Sequence, residues 1–164
     1  MVVHRQNLAG ASAPAFLTCR ERNRERTMSV LKPYTSYLLS VTRAVIGLML
    51  LAHGVAKYFG FPPSPMANVQ FASLFGAAGI LELIGGALLI VGLFTRPTAF
   101  VLSGMTAVAY FYVHFPKNVF PILNGGEAAI LFCFSLLYLA AAGGGPWSAD
   151  RWLHLADFEG APSR

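Results

Sequence analysis

Charge is what this sequence has least of. Only 12% of its 164 residues are Asp, Glu, Lys or Arg, 55% are hydrophobic, and the mean hydropathy is +0.58. A soluble domain carries about 25% charged residues. The shortfall argues against a water-soluble globule and for a membrane protein of one domain. Cysteine is as scarce. Cys19 and Cys133 form no C-x-x-C and no cluster with metal-ligand spacing, so thiol–disulfide exchange by this chain alone is not expected, nor is a metal site. No flavin or iron–sulfur motif is present. No apolar stretch of about 7–15 residues follows the first basic residues, so a secretory signal is not expected there. The net charge of +5 is concentrated near the N-terminus of a very apolar chain. It therefore informs topology, and nucleic-acid binding is a poor reading of it.

What the sequence does have is long apolar runs. Residues 76–94 read GAAGILELIGGALLIVGLF and carry one charge, Glu82. A membrane span needs about 20 mostly apolar residues, and a carboxylate near its centre costs about 2.5–3.5 kcal/mol on insertion scales. Glu82 must therefore be protonated, paired or beside a polar cavity. Gly79, Glu82 and Gly86 fall on one helical face. Small residues there admit a close neighbouring helix, which directs the acid into a helix bundle and away from lipid.

Three further spans complete an all-α, four-transmembrane-helix bundle. The first covers residues 37–59 and places Arg43, Gly47, Leu50, Gly54 and Lys57 on one stripe. His53 and Lys57 are neighbours at i, i+4. Arg43 and Lys57 lie toward opposite ends of this span, where long basic side chains snorkel to lipid phosphates. Residues 60–71 hold Pro62, Pro63 and Pro65 and read as a loop. The third span, 98–115, follows the turn Thr95-Arg96-Pro97 and pairs Tyr110 with His114. Residues 114–126 are apolar but broken by Pro116 and Pro121, as at an interface or bundle mouth. Asn124 and Glu127 have the spacing of a capping box opening the fourth span, 127–142. Gly143-Gly144-Gly145-Pro146 ends that span, and Trp147 and Trp152 suit an aromatic belt. Residues 1–30 read as a disordered basic tail, with Met28 an alternative start. Residues 31–155 form the membrane domain and 156–164 a polar tail.

Four spans put both termini on one side. That side holds Arg5, Arg20, Arg22, Arg24, Arg26, Lys32, Arg43, Arg96, Arg151 and Arg164, against Lys57 and Lys117 opposite. Both termini are therefore expected in the cytoplasm, with or without the basic tail. Glu82 then lies roughly 10 Å below the outer surface. His53, Lys57, Glu82, His114 and Glu127 converge in the outer half, as helix-bundle sites do.

In order along the chain, Arg43 with His53-Gly54-x-x-Lys57, Gly79-x-x-Glu82-x-x-Gly85-Gly86, Gly92 to Pro97, the His114 segment, Asn124 to Glu127 and Gly145 to Asp150 resemble the DoxX family of small membrane proteins. The likeness runs over residues 38–150 and leaves out the N-terminal extension. It implies four helices in a bacterial cytoplasmic (inner) membrane, multi-pass. It also implies a link to quinone or thiol/sulfur redox chemistry, since the family takes its name from a thiosulfate:quinone oxidoreductase subunit.

On that reading Glu82 and His53 handle protons beside a quinone. Lys57, His114, Glu127, Arg43 and Tyr110 form the surrounding ligand contacts, and no cofactor is covalently held. A quinone takes up protons with its electrons, so a buried acid and base beside it make chemical sense. Electrons would come from a soluble redox partner. Haem through His53 and His114 is disfavoured, because histidines at such positions more often form hydrogen bonds. Two other classes fit the same residues. One is a small-solute or proton transporter or channel, which would need a homo-oligomer to widen its path. The other is a scaffold anchoring a soluble partner, with the polar groups as interhelical glue.

Overall fold

A computed structural model describes residues 31–65 and 67–154. The expected basic tail of residues 1–30, with Met28 and Cys19, and the polar tail 156–164 lie outside them. The chain divides into two compact units, Met1–Thr35 and Ser36–Arg164. In the first, the described residues form a 3-10 turn, Lys32–Tyr34, with Pro33 in its first turn.

The second unit is helical, and no strand occurs among the described residues. Its long helices are α1 (Thr35–Phe59), α2 (Leu74–Val91), α3 (Thr95–Ala109) and α5 (Glu127–Ala142). Two short helices, α4 (Pro121–Asn124) and α6 (Ala149–Trp152), complete it. At about 1.5 Å per residue, the 25 residues of α1 run about 37 Å. By length and composition, Lys32–Phe59 and Leu74–Val91 can each cross a membrane, and Glu127–Ala142 is a shorter apolar helix.

Local chemistry moves some boundaries from their expected places. α2 starts at Leu74 because Ser73 caps it, its hydroxyl accepting from Gly76 N–H at 3.0 Å. It stops at Gly92, which adopts the left-handed φ of 75°. α3 starts at Thr95, ahead of the expected 98. Both Asp150 carboxylate oxygens accept from its first N–H groups, Phe94 at 2.6 Å and Thr95 at 2.8 Å. The expected capping box does not form. Asn124 is the last residue of α4, and left-handed Gly125 ends that helix. Gly126 is the N-cap of α5 and Glu127 its first residue. A helix end therefore separates the two residues that the spacing had joined.

Each successive long helix runs back along its neighbour. Gly47 meets Gly86, and Gly54 meets Gly79 and Leu83, so α1 and α2 lie antiparallel in close contact. A Cβ on Gly86 would sit 2.7 Å from the backbone nitrogen of Leu51, a separation open to glycine alone. Ile46 and Leu50 (α1), Leu89 (α2), Ala99 and Leu102 (α3) and Leu136 and Leu139 (α5) form the core. The outward surface is apolar as well: Leu48, Ile84, Phe100, Leu131 and Phe134 are all exposed. Every long helix contributes to this exposed apolar surface, as a bundle facing lipid would.

Candidate functional site

Glu82 has its partner. Lys57 Nζ donates to both carboxylate oxygens, each at 2.7 Å, and the residues are 8% and 7% exposed. The glycine face of α2 makes room for this. A Cβ on Gly79 would come 3.4 Å from Lys57 Cδ and 2.9 Å from the Tyr58 ring. The lysine stem lies along α2 and does not reach outward, so Lys57 does not snorkel. Two of the ammonium's three N–H groups are taken by Glu82. The third remains for whatever lies beside it.

Beside it is a cavity of about 500 Å³, walled by all four long helices. That is the size range of small-molecule sites, roughly 300–1,000 Å³. Its wall is mostly aliphatic and aromatic, with Leu50, Phe75, Leu81, Met105 and Phe132 among the contributors. The polar side chains on it are few: His53, Lys57, Glu82, Thr106, Tyr112 and His114. His53 meets Phe132 edge-on, with ring centroids 6.2 Å apart. Thr106 keeps its hydroxyl hydrogen within α3, toward the carbonyls of Leu102 and Ser103.

His114 reaches the cavity from a π-helical turn, Tyr110–His114, that continues α3. Phe115 N–H bonds to Tyr110 carbonyl at 2.9 Å, so the turn holds one residue more than an α-turn. His114 Nδ1 lies 3.0 Å from the Asn124 carbonyl. The ring stacks on Tyr110 at 6.4 Å and 17°.

Glu82, Lys57, His53 and His114 thus border one cavity. The other three expected contacts do not. Tyr110 backs His114 and packs against Gly126, where a Cβ would come within 2.7 Å of its ring. Glu127 is exposed in the first turn of α5, a position that favours an acid through the helix dipole. Arg43 is 14 residues from Lys57 along α1, about 21 Å away.

Arg43 also does not snorkel, being 2% exposed. Its Nε donates to Gly144 carbonyl at 2.9 Å and Nη2 to Trp147 carbonyl at 2.7 Å. Nη1 donates to the carbonyls of Leu89 and Ile90. The last turn of α2 offers unsatisfied carbonyls and the negative end of a helix dipole, which suit a guanidinium. This arrangement escaped sequence reasoning, together with the Asp150 cap on α3. Ser40 adds to the same knot by accepting from Trp147 N–H at 3.2 Å. The signal was present as Gly92 and as Gly145-Pro146-Trp147-Ser148 followed by Asp150, whose glycines adopt positive φ. Thr106 was missed as well, and nothing in its sequence context marks it.

Among the described residues, no group of three or more His, Cys, Asp or Glu is placed to hold a metal ion. The family model described as DoxX matches residues 38–115. That stretch contains His53, Lys57, Glu82 and His114. A protein of Haemophilus influenzae, described only as an uncharacterized protein, is 39% identical over 129 residues. The alignment covers 76% of this chain and 96% of that one. No solved structure matches the chain at a significant level.

Proposed function

This membrane protein belongs to the DoxX family, and from that premise we propose that it is the integral membrane subunit of a quinone-linked oxidoreductase system. On this reading it crosses a bacterial cytoplasmic membrane four times, with both termini inside. The exposed apolar helix faces and the Lys/Arg asymmetry support this topology. Residues 31–155 are the membrane domain, flanked by the tails 1–30 and 156–164.

One observation carries the functional reading. A buried, charge-balanced donor, Lys57 held by Glu82, faces a mostly apolar cavity of about 500 Å³. A flat apolar ring with carbonyl oxygens at its edge fits such a wall. The ring fills the aliphatic and aromatic part, and the third Lys57 N–H meets an oxygen. A bound quinone supplies two-electron, two-proton chemistry, with electrons delivered by a soluble partner from a thiol or sulfur donor. The residues have separate tasks. Lys57 orients and donates, Glu82 fixes the ammonium and balances its charge, and His53 and His114 offer titratable nitrogens at the cavity. Phe75, Met105 and Phe132 keep water out.

The same ion pair joins α1 to α2, which favours a scaffold as the second reading. A continuous path for solute is disfavoured, because Arg43 is committed to backbone carbonyls at the far end. Gentle extraction of the full chain followed by mass spectrometry tests the proposal. Quinone should co-purify with the wild type and be lost from Lys57→Met. Its absence from wild-type preparations, with a protein partner still attached, would favour the scaffold.

A further inference from the structure

We infer that His114 is the residue that distinguishes the reduced from the oxidised ligand, a statement that rests on the quinone reading above. A carbonyl oxygen can only accept. The 3.0 Å contact between His114 Nδ1 and the Asn124 carbonyl therefore places the hydrogen on Nδ1. In the neutral ring the lone pair is then on Nε2. With Nδ1 committed to backbone, Nε2 is the nitrogen His114 has left for the cavity it borders.

The carbonyl that sets this tautomer is itself pinned. Asn124 is 5% exposed. Its side chain donates to Asn118 carbonyl at 2.7 Å and accepts from Gly126 N–H at 2.7 Å. The π turn and the stacked Tyr110 hold the ring. Nε2 of the neutral ring is thus a fixed acceptor. Lys57, by contrast, can only donate. His53 has no hydrogen-bond partner among the described residues, so its tautomer is free to follow the ligand.

A quinone edge carries acceptors only, and it is served by Lys57. A quinol edge carries hydroxyls, whose oxygens still accept from Lys57 and whose hydrogens need an acceptor. His114 Nε2 supplies it. The lone pair gains a bond from the reduced form and none from the oxidised form, so the cavity prefers quinol. By linkage, each tenfold of preference raises the midpoint of the bound couple by about 30 mV.

The test is equilibrium binding of decylubiquinone and of its dithionite-reduced form to the full chain in lipid nanodiscs. His114→Asn keeps an amide N–H near the place of Nδ1 and deletes Nε2. It should weaken quinol binding about tenfold more than it weakens quinone binding, the scale of one hydrogen bond. His114→Gln places an amide oxygen near Nε2 and should recover part of the quinol affinity. Nitrogen-15 spectra of His114 should show a bare Nε2 and a protonated Nδ1 before any ligand is added. Equal weakening of both forms in His114→Asn, or a proton on Nε2 in the spectra, would overturn the assignment and leave the quinone reading standing. A wild-type protein that binds neither form overturns both.

Discussion

Breaking the Lys57–Glu82 pair from one side at a time and then from both separates its structural from its chemical role. The pair is shielded on both sides, at 8% and 7% exposure, and each carboxylate oxygen lies 2.7 Å from Nζ. Lys57→Met removes both hydrogen bonds and leaves a carboxylate against an apolar wall. Removing one partner of a buried pair costs about 3–5 kcal/mol, mostly as the uncompensated charge left behind. Glu82→Leu strands the ammonium at similar cost. The double variant leaves two apolar side chains of comparable volume in a helix seam, which is often neutral or better. The coupling between the sites should then approach the sum of the two single losses, about 6–10 kcal/mol. Reversible unfolding of the four proteins in one detergent measures it. Single variants that each lose less than about 1 kcal/mol and simply add in the double would refute the buried pair. The folded double variant also decides the function. If the pair is only glue, ligand binding survives, and if Lys57 is the donor, binding is lost.

Two further outcomes follow from other parts of the chain. Asp150→Ala removes both acceptors from the start of α3 and should cost about 1–2 kcal/mol, the loss of a good N-cap with its dipole contribution, read as a lower unfolding midpoint. Alkaline phosphatase fused after Phe61 or after Lys117 should be active outside the membrane, and a fusion after Arg96 should be silent. An active Arg96 fusion would invalidate the four-span arrangement with both termini inside.

The helices were legible where one signal dominated. A single acid in a long apolar run marked Glu82, and the glycines on its face marked the side on which a neighbour would lie. Residues 127–142 were bounded by a proline-broken segment and by glycines, and α5 occupies that same range. The errors arose where a residue's partner is distant in sequence. Arg43 near the end of an apolar run looks like a snorkelling side chain until Gly144 and Trp147, about a hundred residues later, supply its acceptors. The start of α3 shifts for the same reason, since Asp150 lies 55 residues beyond Thr95. The Asn124–Glu127 spacing misled because a capping box and a helix break with a fresh start share residue types, and only the left-handed Gly125 tells them apart.

The Arg43 knot bears on how the four helices can move. It gathers the start of α1, the end of α2, the start of α3 and the segment after α5 at one end, through a guanidinium, a carboxylate and short backbone contacts. The cavity lies toward the other end, where the Lys57–Glu82 pair ties α1 to α2. Rods fastened at one end splay most easily at the other, and the Lys57–Glu82 pair is the tie that a splaying of the cavity end would strain. On the quinone reading proposed above, a bulky, lipid-dissolved ligand would enter from the side by that motion, with no separate gate. The clamp sets the stiffness of that motion, and mutations at Arg43 or Asp150 become changes in the rate of exchange at a site about 20 Å away.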